Sequence, residues 1–63
     1  MHAIFTKGKQ RRRVSTSGKV VLVHVTAFGE EGLPFRHTVD DPEVLAEEMA
    51  ANLVADGFTR TDY

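Results

Sequence analysis

The stretch that decides the fold is Lys19–Phe28, with the sequence KVVLVHVTAF. Four of its residues are valines, and β-branched side chains favour strands. The run is too short for a helix of its own, and the turn residues Gly29–Gly32 follow it. A second strand fits Leu33–Val39. The sequence therefore predicts an antiparallel hairpin at the centre of the molecule.

The length of the hairpin loop decides which side chains share a face. A two- or four-residue loop pairs His24 with His37. A three-residue loop with Gly32 in the left-handed conformation pairs Ala27 with Phe35. A one-residue slip would move every side chain of a strand to the other face. We predict the three-residue loop because it alone gathers the apolar residues on one face: Val21, Val23, Val25, Phe35 and Val39.

A helix is predicted between Asp41 and Gly57. Asp41 is a favourable N-cap, Pro42 suits the first helical position, and Gly57 suits the left-handed position that ends a helix. Phe58 then lies where it can contact Leu53, as in a Schellman cap. The apolar stripe of this helix consists of Leu45, Met49 and Leu53, widened by Ala46, Ala50 and Val54.

The N-terminal third predicts a further hairpin. Gly8-Lys9 fits a type II′ turn that pairs Phe5 with Arg12. This register places Arg12 on the helix side, where a buried unpaired charge would be costly. We therefore expect Arg12 to reach an acid at the rim of the core, either Glu48 or Asp56.

The remaining turn and the C-terminus complete the predicted architecture. Ser17-Gly18 joins the next two strands and opposes Val14 to Val21. Phe58–Tyr63 either adds a short final strand or runs over the surface. The prediction is a single α+β domain over residues 1–63, an antiparallel meander of three or four strands with one C-terminal helix on one face. Its strands lie near residues 2–6, 11–16, 19–28 and 33–39.

Charge is distributed very unevenly along the chain. Residues 1–24 contain six Lys and Arg and no acid, whereas residues 25–63 contain two Arg and nine Asp and Glu. The net charge of −1 therefore hides a strong asymmetry. Such asymmetry suggests that one part meets an anionic partner, or that two copies meet head to tail.

The sheet face opposite the helix, called the uncovered face, has no covering element in this prediction. A chain of 63 residues buries little surface, so an uncovered apolar face suggests a binding role. We predict a non-catalytic module that binds a protein partner or a second copy of itself through four residues of this face. These residues are Leu22, His24, Phe28 and Arg36.

The alternative prediction is nucleic-acid binding through the basic N-terminal hairpin. Cations at a hairpin tip can contact several phosphates. The run lacks an interleaved aromatic residue, and the whole chain has a pI of about 6.3, which is not basic. The residues of this run are Lys7, Lys9, Arg11, Arg12 and Arg13.

Other functional classes have little support in the sequence. No Gly-rich phosphate loop or nucleophile motif is present, so we expect no enzyme, no cofactor and no small-molecule substrate. We expect no metal site, because His24 and His37 point to opposite sides in the preferred register, with His37 at the margin of the core. The chain has no cysteine and no long apolar run, which predicts a cytoplasmic protein that does not contact membranes.

Overall fold

The computed structural model describes residues 1–62, and it shows an antiparallel sheet with one helix packed on it. The α+β fold is therefore confirmed. The elements are β1 (His2–Lys7), β2 (Gln10–Ser17), β3 (Val20–Ala27), β4 (Glu30–Glu31), β5 (Phe35–Thr38), α1 (Pro42–Ala55) and β6 (Thr59–Arg60). In spatial order, β3 lies between β2 and the β4–β5 edge, and β1 lies between β2 and β6.

The first hairpin has the predicted register. Gly8 takes φ +60° in the two-residue turn, and Phe5 pairs with Arg12. The second turn is Gly18-Lys19, with Gly18 at φ +59°, and not Ser17-Gly18. Val14 consequently pairs with Val23 and not with Val21 as predicted. Glycine explains the difference, because it takes the first position of such a turn without steric cost.

The third hairpin corrects the predicted loop. Its turn is Phe28-Gly29, both with positive φ, which is typical of a type I′ turn. The ladder pairs Ala27 with Glu30 and is interrupted at residues 32–34. It resumes with Val23 opposite Phe35. The predicted pairing of Ala27 with Phe35 is wrong by four residues, but an even shift leaves Phe35 on the predicted face.

The helix has both predicted caps. The Asp41 carboxylate accepts a hydrogen bond from the Val44 amide at 3.3 Å. At the other end Gly57 has φ +97°, and the Phe58 amide donates to the Leu53 carbonyl at 3.0 Å. This bond and the one from the Gly57 amide to the Val54 carbonyl form a Schellman cap. The chain then pairs with β1 as β6, so the short final strand is present, and Tyr63 lies outside the described residues.

The core lies between the helix and the β1–β2 half of the sheet. Ala46 and Ala50 face the sheet and are buried, whereas Val54, which was predicted to widen the apolar stripe, is 55% exposed. Small side chains at the contact let the helix approach the strands closely. The buried residues are Ala3, Phe5, Val14, Val21, Ala46, Ala50 and Phe58, flanked by half-buried Met1, Val23, Val39, Leu45, Met49 and Leu53.

The helix covers only part of its side of the sheet. It packs mainly on β2, with smaller contacts to β3, β1 and β6. Phe35 of β5 belongs to the same face and is nevertheless 60% exposed. No helix within residues 1–62 is long and apolar enough to cross a membrane.

Candidate functional site

The uncovered face carries side chains in rows set by the strand register. One row runs from Arg11 to Thr26 and Glu31, and the next from Arg13 to His24. A third row contains Ser15, Leu22 and Arg36. Directly paired residues of this kind lie about 4.5–5.5 Å apart at their Cβ atoms. The rows therefore bring three arginines and two histidines onto one surface, because His2 pairs with Ser15 in the third row.

Three of the four predicted partner-binding residues lie together on this face. Leu22 and His24 are half-buried, and Arg36 is exposed. Phe28 does not join them, because it lies in the turn and lines a groove with Val25 and Ala27 of the helix side. The apolar surface expected here is accordingly small, and partner binding by these residues stays a prediction.

Strand alternation divides the basic run between the two faces. Arg11 and Arg13 point to the uncovered face, Lys7 and Arg12 point to the helix side, and Lys9 lies in the first turn. Five cations that are close in sequence therefore do not form one patch. Nucleic-acid binding by the whole run would need side chains from both sides of the sheet.

Lys7 and Arg12 contact the buried Phe58 ring. The Lys7 Nζ lies 5.7 Å from the ring centroid and donates to the Asp56 carbonyl at 2.7 Å. The Arg12 guanidinium lies 5.1 Å from the same centroid and donates to Gln10 Oε1 at 3.1 Å. We expected Arg12 to pair with Glu48 or Asp56, and its hydrogen bonds go elsewhere. The π-face of Phe58 supplies the electrostatic partner, because a cation is attracted to an aromatic face.

A small recess on the uncovered face is lined by charged and polar groups. Its volume is about 70 Å³. Its lining residues are Arg11, Arg13, His24, Thr26 and Glu31. The His24 Nδ1 atom is buried without a hydrogen-bond partner among residues 1–62. A buried polar atom left unpaired costs roughly 1–3 kcal/mol, so His24 weakens the fold at this point.

The largest exposed apolar side chains lie elsewhere, at the end of β3 and β5. Phe28, Leu33 and Phe35 are 79%, 89% and 60% exposed. With Val25 they form what we call the apolar corner. Next to it, a groove of about 400 Å³ runs between Val25 and Phe28, and a groove of about 530 Å³ continues past Val23 to Met49.

Phe28 has an unfavourable backbone as well as an exposed side chain. Its φ is +55°, the left-handed region that Asn, Asp and Gly tolerate far better than Phe. Placing Phe there costs on the order of 1 kcal/mol. The exposed ring returns no burial energy to the fold, so Phe28 weakens the monomer without a compensating contact.

Two carboxylates are held by hydrogen bonds away from both surfaces. The Thr16 hydroxyl donates to Glu43 at 2.7 Å, and this bond, with a further one from the Met1 ammonium, lowers the Glu43 pKa. Hydrogen bonds from Arg60 lower the Asp62 pKa in the same way. Both carboxylates join separate parts of the chain, because Glu43 accepts from Thr16 and Asp62 also accepts from the Ile4 amide at 3.2 Å.

The histidines do not come together. His24 lies on the uncovered face, while His37 pairs with Val21 on the helix side. His37 is exposed, so its predicted place at the margin of the core is wrong. Within residues 1–62, no group of three or more His, Asp and Glu side chains is placed to hold a metal ion.

The apolar corner is the feature that sequence reasoning missed. We predicted a strand that ends at Phe28 and a loop that begins at Gly29, whereas these two residues together form the turn. Two-residue type I′ turns usually carry Asn or Asp before Gly, and Phe28 is neither. One signal was available: Gly29 follows the valine-rich strand directly, and glycine commonly takes the second position of such a turn.

Comparisons with protein-family models, with curated proteins and with solved structures gave no match for this chain. We therefore infer its function from the geometry of its own surfaces.

Proposed function

We propose that this protein is a non-catalytic binding module that docks a second copy of itself on the apolar corner. The observation that carries the proposal is the exposure of Phe28, Leu33 and Phe35 at 79%, 89% and 60%. The two phenylalanines alone leave on the order of 300 Å² of apolar surface in water. Patches of that size on a monomer are often functional.

The small core favours self-association. The only side chains larger than alanine that are completely shielded within residues 1–62 are Phe5, Val14 and Val21. A chain of about 60 residues buries only about 60% of the surface that its unfolded form exposes. The sequence contains no cysteine, so no disulfide adds stability. A second copy would bury further apolar surface at no cost in chain length.

The available area suits a dimer of ordinary size. A standard interface covers about 800 Å² on each partner, which is about a fifth of the 4238 Å² surface of this chain. The apolar corner alone is smaller than that. The grooves beside it extend the apolar surface along β3 towards Met49 and Leu53.

Charges at the two sides of the groove complement each other. Arg12 of β2 lies beside Val25 of β3. On the other side of β3, Glu30 of β4 lies beside Ala27. A two-fold axis parallel to β3 would set Arg12 of one copy opposite Glu30 of the other. The same patch would then serve both copies, as a two-fold interface requires.

This proposal moves the interface predicted from the sequence to the other side of the sheet. It keeps Phe28 and replaces Leu22, His24 and Arg36 with Val25, Leu33 and Phe35. We place the module in the cytoplasm, since a chain without cysteine gains nothing from an oxidising compartment.

The test is sedimentation equilibrium of the wild-type chain and of Phe35→Ser from about 10 μM to about 1 mM, the concentration range in which a weak dimer becomes populated. Val54→Ser is the matched control, because Val54 is 55% exposed on the helix and Phe35 is 60% exposed. We expect the wild type and the control to dimerise with rising concentration, and Phe35→Ser to stay monomeric while keeping its circular dichroism spectrum.

Two results would overturn the proposal. One is a wild-type chain that stays monomeric throughout this range. The other is a dimer that survives Phe35→Ser and Phe28→Ser together, because it would use a surface other than the apolar corner.

A further inference from the structure

We infer that the recess between Arg11, Arg13, His24 and Thr26 binds a backbone phosphate of a nucleic-acid strand lying on the uncovered face. This site lies on the opposite face of the sheet from Val25 and Phe35 of the apolar corner. Four residues of the recess stand in two directly paired rows, Arg11 with Thr26 and Arg13 with His24. Two neighbouring rows therefore converge on one small volume.

The lining groups match the chemistry of phosphate. Arginine presents several N–H donors in a fork that fits phosphate oxygens, and a threonine hydroxyl adds another donor. The imidazole of His24 lines the same recess beside these donors. A bound phosphate would therefore satisfy groups that the fold leaves open.

The arginines are available for a ligand. Arg11 is exposed, and no hydrogen bond or ion pair of its side chain is found within residues 1–62. Arg13 meets Glu31 at 3.9 Å, at the long limit of an ion pair, and both side chains are more than a third exposed. This contact is weak enough for a phosphate to replace it.

The size of the recess indicates what lies outside it. Its volume of about 70 Å³ is small compared with the two grooves of about 400 and 530 Å³. Most of a nucleic-acid strand would therefore lie outside the recess, on the sheet. Arg36 lies on the same face one row away, where it would meet a neighbouring phosphate.

The acidic helix does not cancel the positive charge of the uncovered face. Glu47 and Glu48 are exposed on the helix, which packs on the other side of the sheet. Packed layers are about 10 Å apart, and the Debye length at physiological salt is about 8 Å. The cations of the uncovered face therefore act on a ligand with little opposition from these acids, despite the net charge of −1.

Binding at this face should be insensitive to base sequence. Phe5 and Phe58 are buried, and Phe35 belongs to the helix side, so they offer no platform on which bases could stack. Contacts to phosphate alone give affinity that falls steeply with salt. Three contacts to a single strand predict a slope of about −2 for log K against log salt.

The test is an NMR titration of ¹⁵N-labelled protein at low salt, with inorganic phosphate in one arm and a twelve-nucleotide single-stranded DNA in the other. We expect both to shift the amides around Arg13, His24 and Thr26. The double variant Arg11→Ala/Arg13→Ala should weaken DNA binding at least tenfold and lower the salt slope by about 1.4. Lys19→Ala is the control for loss of a positive charge away from the recess, because Lys19 is exposed in a turn at the opposite end of the hairpin.

A second variant tests the recess with an effect of opposite sign. Glu31→Gln removes the acid beside Arg13 and should tighten DNA binding about threefold, whereas Glu48→Gln on the helix should leave it unchanged. DNA binding that responds equally to Lys19→Ala and to the double variant overturns the site. Shifts with phosphate but none with DNA overturn the nucleic-acid assignment. No shift in either arm overturns the proposal altogether.

Discussion

The two halves of the helix side of the sheet have similar strand patterns but differ in how deeply their side chains are buried. On β1 and β2, Phe5 and Val14 are completely buried beneath the helix. On β5, Phe35 follows the same alternation and is 60% exposed. The difference teaches that alternation assigns a side chain to a face, whereas burial depends on where the helix lies. Here the helix reaches β2 and part of β3, and β5 remains outside.

The largest test of this comparison replaces one phenylalanine in each half. Phe5→Ala should lower the free energy of unfolding by about 3–5 kcal/mol, because it leaves a cavity at the centre of the core. Phe35→Ala should change the free energy of unfolding of the monomer by less than about 0.5 kcal/mol, as exposed substitutions do. Urea unfolding at low protein concentration measures both. If both variants lost the same free energy of unfolding, the helix would cover β5 in solution.

A smaller effect of opposite sign is expected at Phe28. Phe28→Asn places a residue that tolerates positive φ in the type I′ turn, and should stabilise the monomer by about 1 kcal/mol. For a domain of this size, that raises Tm by about 4–8 °C. The same change should weaken self-association, because the exposed ring is lost. A variant that lowers Tm would contradict the strain assigned to this turn.

Two adjacent arginines provide the next comparison, this time between faces. Arg12→Ala should destabilise the chain by about 1 kcal/mol, because it removes the cation and the aliphatic stem packed on Phe58. Arg11→Ala should change stability by less than about 0.5 kcal/mol and should affect DNA binding instead. Thermal unfolding and DNA titration of both variants measure the contrast. An exchange of the two effects would show that β2 faces the opposite way.

The smallest expected effect depends on pH and concerns Glu43. The hydrogen bond from Thr16 lowers the pKa of Glu43 in the folded chain below its ordinary value of 4.5. The stabilisation is therefore complete above about pH 4.5 and is lost as the pH falls through the folded pKa. Glu43→Gln should be less stable than the wild type at pH 7, and this difference should shrink as the pH falls below about 4.5. The exposed Glu48→Gln should show no such convergence in urea unfolding.

Local signals explain the parts of the fold that the sequence predicted. The helix caps at Asp41 and Gly57 depend on residues within one turn of each other, and both were predicted. Gly8 likewise specified the first hairpin. Each of these features is decided by a few neighbouring residues, so a single sequence is sufficient to find it.

Non-local features were missed for physical reasons. The register between β3 and β5 depends on an interruption of the ladder at residues 32–34, and no single turn residue predicts that interruption. The partner of Arg12 is the ring of Phe58, from a segment more than forty residues away. The surfaces proposed to bind ligands follow from these same features. Arg11, Arg13 and His24 could therefore be singled out from the sequence, but their position in one recess could not be predicted.

The most direct measurement of the central claim is a dilution series of ¹⁵N–¹H spectra, from about 1 mM to about 10 μM. If two copies meet on the apolar corner, concentration-dependent shifts will cluster at residues 23–35, and Phe35→Ser will abolish them. Shifts centred on Leu22, His24 and Arg36 that survive Phe35→Ser, or spectra unchanged by dilution, would contradict this account.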